Sequence, residues 1–148
     1  MAIFGVGSTW DGVEQKEIFF RQGKFILGWN DESAKDVYVA VASLKVGDIL
    51  YLKSNQPGAR IINVKGVGIV TENFMNCINC IINGDYDNNV LISNLESLFV
   101  RVAWLNKEEF EIVIPDNEGR LTCFRAATIY EEFLPLVQAA ILNKIIDV

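Results

Sequence analysis

The segment Lys45–Thr71 constrains the fold of this chain more than any other part of the sequence. Ile49–Lys53 and Arg60–Thr71 are rich in β-branched residues, and Asn55–Ala59 between them contains a Pro-Gly pair, which is typical of a connection between strands. The pattern therefore predicts a β-hairpin that follows a tight turn at Val46-Gly47-Asp48.

Two glycines lie within the second strand of this hairpin, Gly66 and Gly68. Glycine inside a strand usually marks a β-bulge, a barrel corner or the close approach of another backbone. We therefore expect this strand to bend and the sheet to form a small curved barrel with a cleft. The residues of the hairpin alone leave the content of that cleft open.

Composition predicts one compact domain over residues 1–148, because 51% hydrophobic and 22% charged residues provide enough apolar surface for a core. No apolar run reaches the roughly 18 residues that span a bilayer, and Met1–Gly7 lacks the basic region of a signal peptide. We therefore expect a cytoplasmic protein without membrane partners. The odd number of cysteines, three, favours reduced thiols.

The charge distribution argues against a protein that coats duplex nucleic acid. The net charge is −6, from 13 basic and 19 acidic residues, whereas phosphate contacts supply most of the affinity of duplex binders. Residues 1–70 hold eight basic and seven acidic residues, and residues 71–148 hold five and twelve. The half that contains the hairpin is therefore close to neutral, and the acidity lies in the second half.

The periodicity of the remaining sequence predicts helices and strands on both sides of the hairpin. Strands are predicted over Ala2–Val6, Lys24–Trp29, Ser97–Leu105, Glu109–Ile114 and Arg120–Arg125, and helices over Val13–Gln22, Ser33–Leu44 and from Thr128 onward. Thr128-Ile-Tyr-Glu131 reads as a capping box for an amphipathic C-terminal helix, which Pro135 should kink or restart. The apolar stripe of this helix indicates core contact or, alternatively, a homo-oligomer interface.

The segment Gly5-Val6-Gly7-Ser8-Thr9-Trp10 is a candidate ligand-binding loop. Its glycines allow backbone amides to approach a ligand, its two hydroxyls are hydrogen-bonding groups, and Trp10 offers a stacking face. The alternative is a turn at the end of a strand, with Trp10 in the core. The segment is too short for a dinucleotide-binding fingerprint and precedes no clear βαβ unit.

Metal binding is not expected from this sequence. Cys77 and Cys80 have the spacing of half a zinc site, but the chain contains no histidine and only one further cysteine, Cys123. The acidic segment Asn83–Asn89 lacks the spacing and the distal glutamate of a calcium loop. We therefore predict structural thiols, a solvated turn and no cofactor.

Four motifs occur in an order that resembles the PUA-like superfamily, which includes the EVE, YTH and ASCH domains. They are Gly-Val-Gly-Ser-Thr-Trp at 5–10, Lys-Phe-Ile-Leu-Gly-Trp at 24–29, Val-Gly-Asp-Ile-Leu-Tyr-Leu-Lys-Ser at 46–54 and Lys-Gly-Val-Gly-Ile-Val at 65–70. The resemblance implies an α+β fold, a curved, mostly antiparallel β-barrel with flanking helices and a C-terminal amphipathic helix. It also implies a pocket that reads a base, often a modified one. The net negative charge of the chain differs from what is expected of a protein that binds nucleic acid.

A pocket for a nucleobase or nucleotide requires a flat stacking face, hydrogen bonds to the base edge and often a cation near phosphate. Tryptophan, serine and lysine residues at predicted strand ends have this chemistry. The candidate ligand-binding residues are Gly7, Ser8, Thr9, Trp10, Trp29, Lys53, Ser54 and Trp104. The alternative places the tryptophans in the core and Lys53 in solvent.

Three function classes are consistent with these observations. The first is a non-catalytic binder of a nucleobase or nucleotide, for example a soluble protein that sequesters a nucleotide signalling molecule. The second is a protein–protein inhibitor or adaptor that uses the acidic second half. The third is a small amidohydrolase of the ASCH type, in which Lys53, Asp48 or Glu72 would act as the base.

Overall fold

The computed structural model describes residues 1–27, 35–54, 59–77, 98–117 and 128–146. Its helices are α1 (Lys16–Gln22), α2 (Lys35–Ala42) and α3 (Pro135–Ile146), and residues 74–77 are also helical. Its strands are β1 (Ile3–Val6), β2 (Thr9–Trp10), β3 (Val13–Glu14), β4 (Lys24–Ile26), β5 (Ile49–Ser54), β6 (Ile61–Glu72), β7 (Phe99–Asn106), β8 (Phe110–Val113) and β9 (Ile129–Glu131). None of the helices in this described part is long and apolar enough to cross a membrane.

The central hairpin is confirmed: β5 and β6 pair in antiparallel fashion, and the turn before them has Gly47 at φ 95°. A β-bulge, one of the features that glycines within a strand mark, is present in β6, because the register shifts between Leu52 and Lys53 on β5. Lys65 is the extra residue of this β-bulge, since Leu52 pairs with Gly66 and Lys53 with Val64.

Seven strands of the described chain form one mostly antiparallel sheet, in the order β4-β7-β6-β5-β1-β9, and β8 also pairs with β6. The β1–β5 pair is parallel. β7 and β8 lie one after the other along the same side of β6, because β7 pairs with residues 67–72 and β8 with residues 61–64. The sheet therefore has an interruption at residues 107–109, opposite the bulge of β6.

The curved barrel predicted from the sequence does not close in the described part of the chain, where β4 and β9 stand at opposite ends of the strand order. The physical reason is that each face of the sheet carries an apolar core that other elements cover. The first core, on one face, includes Val6, Phe19, Phe25, Val41, Leu50, Leu52, Val100 and Val102. The second core, on the other face, includes Ile49, Tyr51, Ile62, Val64, Ile112, Val137 and Ile141. Helices α1 and α2 contribute to the first core and α3 to the second, so an open sheet buries both faces.

Helix α1 begins at Lys16, later than predicted, because the preceding residues form a second, two-stranded sheet of β2 and β3. The connecting residues Asp11 and Gly12 have φ of 49° and 81°, as a type I′ turn requires. The helix ends as expected at Gly23, which adopts the left-handed conformation with φ 65°.

The predicted helix start at Thr128 is wrong, because Ile129–Glu131 is strand β9 and pairs antiparallel with β1. The helix begins instead at Pro135, which suits the first helical position because proline lacks an N–H. Val137 and Ile141 face the second core as predicted, whereas Phe133 is 72% exposed. Several predicted features lie outside the described residues: Trp29, the Ser33 cap, Cys80, Asn83–Asn89, Arg120–Arg125 and Cys123.

Candidate ligand-binding cleft

A cleft of about 380 Å³ lies beside the interruption between β7 and β8, at the end of β5. Its volume falls within the range of roughly 300–1,000 Å³ that small-molecule sites occupy. The residues that line it are Ser54, Asn63, Val64, Lys65, Glu109, Phe110 and Glu111. The lining is therefore mostly polar, and it comes from three adjacent strands and the segment before β8.

Three of the lining residues, Ser54, Asn63 and Glu111, form a row across β5, β6 and β8, which we call the polar row. Ser54 pairs with Asn63, and Asn63 pairs with Glu111, so their side chains share one face of the sheet. Neighbouring strands are about 4.8 Å apart, so the polar row is roughly 10 Å long. All three residues are exposed, and no described residue forms a side-chain hydrogen bond or ion pair with them.

Lys65 lies at one side of the polar row, on the β6 bulge, and its Nζ atom forms an ion pair with Glu14. Glu14 also accepts hydrogen bonds from the Ser8 hydroxyl and from the backbone N–H of Lys16, the latter at 3.0 Å. Burial alone would raise the pKa of Glu14, but the hydrogen bonds from Lys65 and Ser8 outweigh it and hold the pKa below its usual value. Glu14 therefore stays a carboxylate and fixes the position of the Lys65 ammonium group.

A second ion pair involves another lining residue of the cleft, Glu109. The Nζ atom of Lys16, at the start of α1, contacts Glu109, and this hydrogen bond raises the pKa of Lys16. Two of the charged lining residues, Lys65 and Glu109, are thus paired with partners from the β3–α1 segment. Glu111 is the lining charge without such a partner among the described residues.

The predicted loop at 7–10 reaches this region because β1 and β5 are parallel neighbours, with Val6 opposite Leu52. Ser8 is buried and Thr9 is exposed, and the hydroxyls of both contact Glu14, the latter at 3.5 Å. The backbone N–H of Gly7 donates to the carbonyl of Thr128 at 3.0 Å. Ser8 and Thr9 therefore connect to the cleft only through Glu14, and neither they nor Gly7 line it.

The tryptophans have different places in the structure. Trp10 is half-buried, and its ring centroid lies 5.9 Å from that of Phe19 in the first core. Trp104 is 9% exposed, and its indole N–H donates to the carbonyl of Lys24 at 3.1 Å. Trp104 therefore belongs to the first core and does not line the cleft, and Trp29 lies outside the described residues.

Lys53 lies on the opposite face of the sheet from Ser54, and its Nζ atom is 5.3 Å from the centre of the Tyr130 ring. The side chain is 7% exposed, and burial, with a smaller contribution from the charge of Lys65, lowers its pKa to about 8. Nearby, the hydroxyl of Tyr51 contacts that of Tyr130 at 2.6 Å and donates to Glu132 at 2.8 Å. Lys53 thus belongs to a buried polar cluster beneath α3 and not to the cleft.

The carboxylates that the amidohydrolase hypothesis requires have structural contacts. Asp48 is buried, and its two carboxylate oxygens accept the backbone N–H groups of Ala2 and Lys45 at 3.0 and 2.8 Å. Glu72 forms an ion pair with Arg101 at 3.1 Å. Asp48 thereby holds the start of β1 to the turn before β5, at the end of the hairpin away from the cleft.

Sequence reasoning missed Asn63, Lys65, Glu109 and Glu111, although a signal exists for Asn63 and Glu111. In both β6 and β8, polar residues alternate with the apolar residues Ile62, Val64, Phe110 and Ile112, which is the pattern of a strand with one exposed face. That pattern places Asn63 and Glu111 on an exposed face. It does not place Lys65 near Glu14, which depends on the bulge.

In the described residues there is no group of three or more His, Cys, Asp or Glu side chains arranged to hold a metal ion. Comparison of the chain with models of protein families found no match, and a search of curated proteins found no significant match.

Proposed function

We propose that this protein is a non-catalytic binder of a nucleobase, nucleoside or nucleotide, and that the ligand occupies the cleft beside the polar row. The observation that carries the proposal is the polar row itself. It presents a hydroxyl, an amide and a carboxylate, without partners among the described residues, along one side of a cleft of small-molecule size. Such an array recognises the edge of a planar heterocycle through several parallel hydrogen bonds.

Apolar contact with the face of a base is available next to the polar row. Ile61 and Val113 pair with each other across β6 and β8 and are 41% and 60% exposed. Each lies two residues along its strand from a member of the polar row, so all four side chains share one face. A flat ring whose edge meets the polar row would cover these two aliphatic side chains.

The motif resemblance points to the same ligand class. We propose accordingly that the chain is a PUA-like domain with a base-reading pocket and that it acts in the cytoplasm. The short parallel β1–β5 pair and the bulged β6 support a curved sheet of this kind, because bulges increase local twist and bend a strand.

The hydrolase alternative has two observations in its favour: the contacts of Glu14 with Ser8 and Lys65, and the pKa of about 8 that burial gives Lys53. Lys53 is 7% exposed and lies on the opposite face of the sheet from Ser54, so it does not line the cleft. However, a general base works best with a pKa near the operating pH, and the pKa of Glu14 is held below its usual value. Asp48 and Glu72 are committed to structural contacts. The hypothesis of a non-catalytic binder is therefore better supported than that of a hydrolase.

The proposal is tested by thermal melting and calorimetric titration of the wild-type protein against free bases, nucleosides and nucleotides. Ligand binding raises Tm by mass action, so we expect at least one compound of this panel to do so. Asn63→Ala should weaken its binding by about tenfold, the effect of losing one hydrogen bond, with little change in the Tm of the free protein.

The matched control is Asn76→Ala, which removes an exposed asparagine that does not line the cleft and should bind as wild type does. A wild-type protein whose melt no compound shifts would overturn the proposal and favour the protein-partner alternative. Equal weakening by Asn63→Ala and Asn76→Ala would place the ligand elsewhere.

A further inference from the structure

The charges around the cleft carry an inference about which ligand it selects, and this inference rests on the proposed function. The charged groups that line the cleft or pair with its lining are Lys16, Lys65, Glu14, Glu109 and Glu111. Two positive and three negative charges leave a net charge of −1. Because each lysine is already paired with a glutamate, neither ammonium group is available to a phosphate without breaking an ion pair.

The remaining carboxylate, Glu111, determines what the polar row can accept. An ionised carboxylate has two acceptor oxygens and no donor, so it prefers a ligand with two adjacent N–H groups. Asn63, directly opposite on β6, both donates and accepts, and its side-chain amide can meet a ligand carbonyl beside those donors. The polar row therefore reads, from Glu111 to Asn63, as two acceptors followed by a donor.

The Watson–Crick edge of guanine is the complement of this order, because it presents N2–H and N1–H followed by the O6 carbonyl. Adenine and cytosine each place a ring-nitrogen lone pair beside their single exocyclic amino group, and that lone pair would face the carboxylate. Uracil has one N–H between two carbonyls. We propose that the cleft selects a guanine-type base, free or as its nucleoside, and gains nothing from a phosphate on the ligand.

The experiment is calorimetric titration of the full chain with guanosine, inosine, adenosine and guanosine monophosphate at one ionic strength. Inosine lacks the N2 amino group, so we expect it to bind about tenfold more weakly than guanosine, the loss of one charge-assisted hydrogen bond. Adenosine should bind at least tenfold more weakly than inosine. Guanosine monophosphate should bind no more tightly than guanosine.

Glu111→Gln tests the assigned residue, because glutamine replaces one acceptor with a donor. The variant should lose the preference for guanosine over inosine, whereas Glu131→Gln, an exposed glutamate on β9, should retain it. Both changes lie at exposed positions, and circular dichroism checks that the variants are folded.

The outcomes separate this inference from the proposed function. Binding of adenosine as tightly as guanosine, an unchanged preference in Glu111→Gln, or a tenfold gain from the phosphate would overturn the inference while the cleft remains a base-binding site. Failure of all four compounds and of the wider panel to bind would overturn the proposed function, and the inference with it.

Discussion

At the scale of single residues, Lys53 shows how the fold changes the chemistry of a side chain. Its ammonium group is held against the Tyr130 ring on the buried face of β5, and desolvation lowers its pKa from 10.5 to about 8. A lowered lysine pKa means that the folded state disfavours the charged form. Below pH 8 the folded protein therefore carries a buried charge that reduces its stability.

The sign of the resulting pH dependence follows from proton linkage. Between the folded pKa of about 8 and the unfolded value of 10.5, the unfolded chain binds more protons than the folded chain, so the free energy of unfolding rises with pH. We expect this group alone to contribute a rise of up to about 3 kcal/mol across that window. In Lys53→Met the contribution should be absent, and the variant should be more stable than wild type near pH 7.

Denaturant unfolding of both proteins at several pH values measures this difference directly. Lys45→Met, which removes an exposed lysine at the other end of β5, is the control and should keep the wild-type pH dependence. If the free energy of unfolding depends on pH in the same way in wild type and in Lys53→Met, Lys53 is not the buried charge described above.

At the scale of elements, β6 organises the sheet because it pairs with β5 on one side and with β7 and β8 on the other. Its glycines allow this crowding. A Cβ atom at Gly66 would lie 2.6 Å from the Cζ atom of Phe20 in α1, and one at Gly68 would lie 2.8 Å from the carbonyl oxygen of Ala103. The two closest contacts at Gly66 are with the Phe20 side chain, and the nearest backbone atom, the carbonyl oxygen of Asn106, is 3.3 Å away. At Gly68 the backbone of the neighbouring strand is itself within 3.0 Å.

We therefore expect Gly68→Ala to destabilise the protein by about 2 kcal/mol, because overpacking against a strand backbone has no easy relief. Gly7→Ala is the matched control, since a Cβ there meets nothing within 4 Å, and it should change the free energy of unfolding by less than about 0.5 kcal/mol. Chemical denaturation of the two variants gives the comparison. If Gly68→Ala and Gly7→Ala have the same free energy of unfolding, β7 does not pack on Gly68 as described.

The same elements show what the sequence could predict. The β-branched residues of β5 and β6 and the glycines of β6 were sufficient to predict the hairpin and an irregularity in its second strand, because both signals are local. The Asp11-Gly12 pair is a local hairpin signal as well. It favours a helix that starts later than the predicted Val13. Thr128 begins a local helix-capping pattern, but the next three residues, Ile129–Glu131, pair with β1 instead. This pairing is a long-range contact, which a local pattern does not predict.

The candidate site was harder to predict for the same reason. Ser54 was found because it ends a strongly patterned strand. Trp104 fits a barrel mouth by its pattern as well as it fits a core. The pairing of Glu14 with Lys65 joins residues 51 positions apart through a bulge, and no sequence pattern marks such a contact.

At the scale of the whole molecule, the cleft lies where one face of the sheet changes from apolar to polar. Along β5, Leu50 and Leu52 belong to the first core, and Ser54, next on the same face, is exposed and lines the cleft. The β3–α1 segment borders this polar end through the contacts of Glu14 and Lys16. The fold therefore places a rigid, strand-borne set of hydrogen-bonding groups beside its two cores.

The central claim is that this polar end of the sheet is the ligand site, and NMR titration of the ¹⁵N-labelled protein with guanosine tests it most directly. We expect the largest shift changes at the backbone amides of Ser54, Asn63, Lys65 and Glu111 and at the Asn63 side-chain amide, with the amides of the turn at 45–48 unchanged. Shift changes confined to other parts of the chain, with the polar row unaffected at saturating ligand, would contradict the claim.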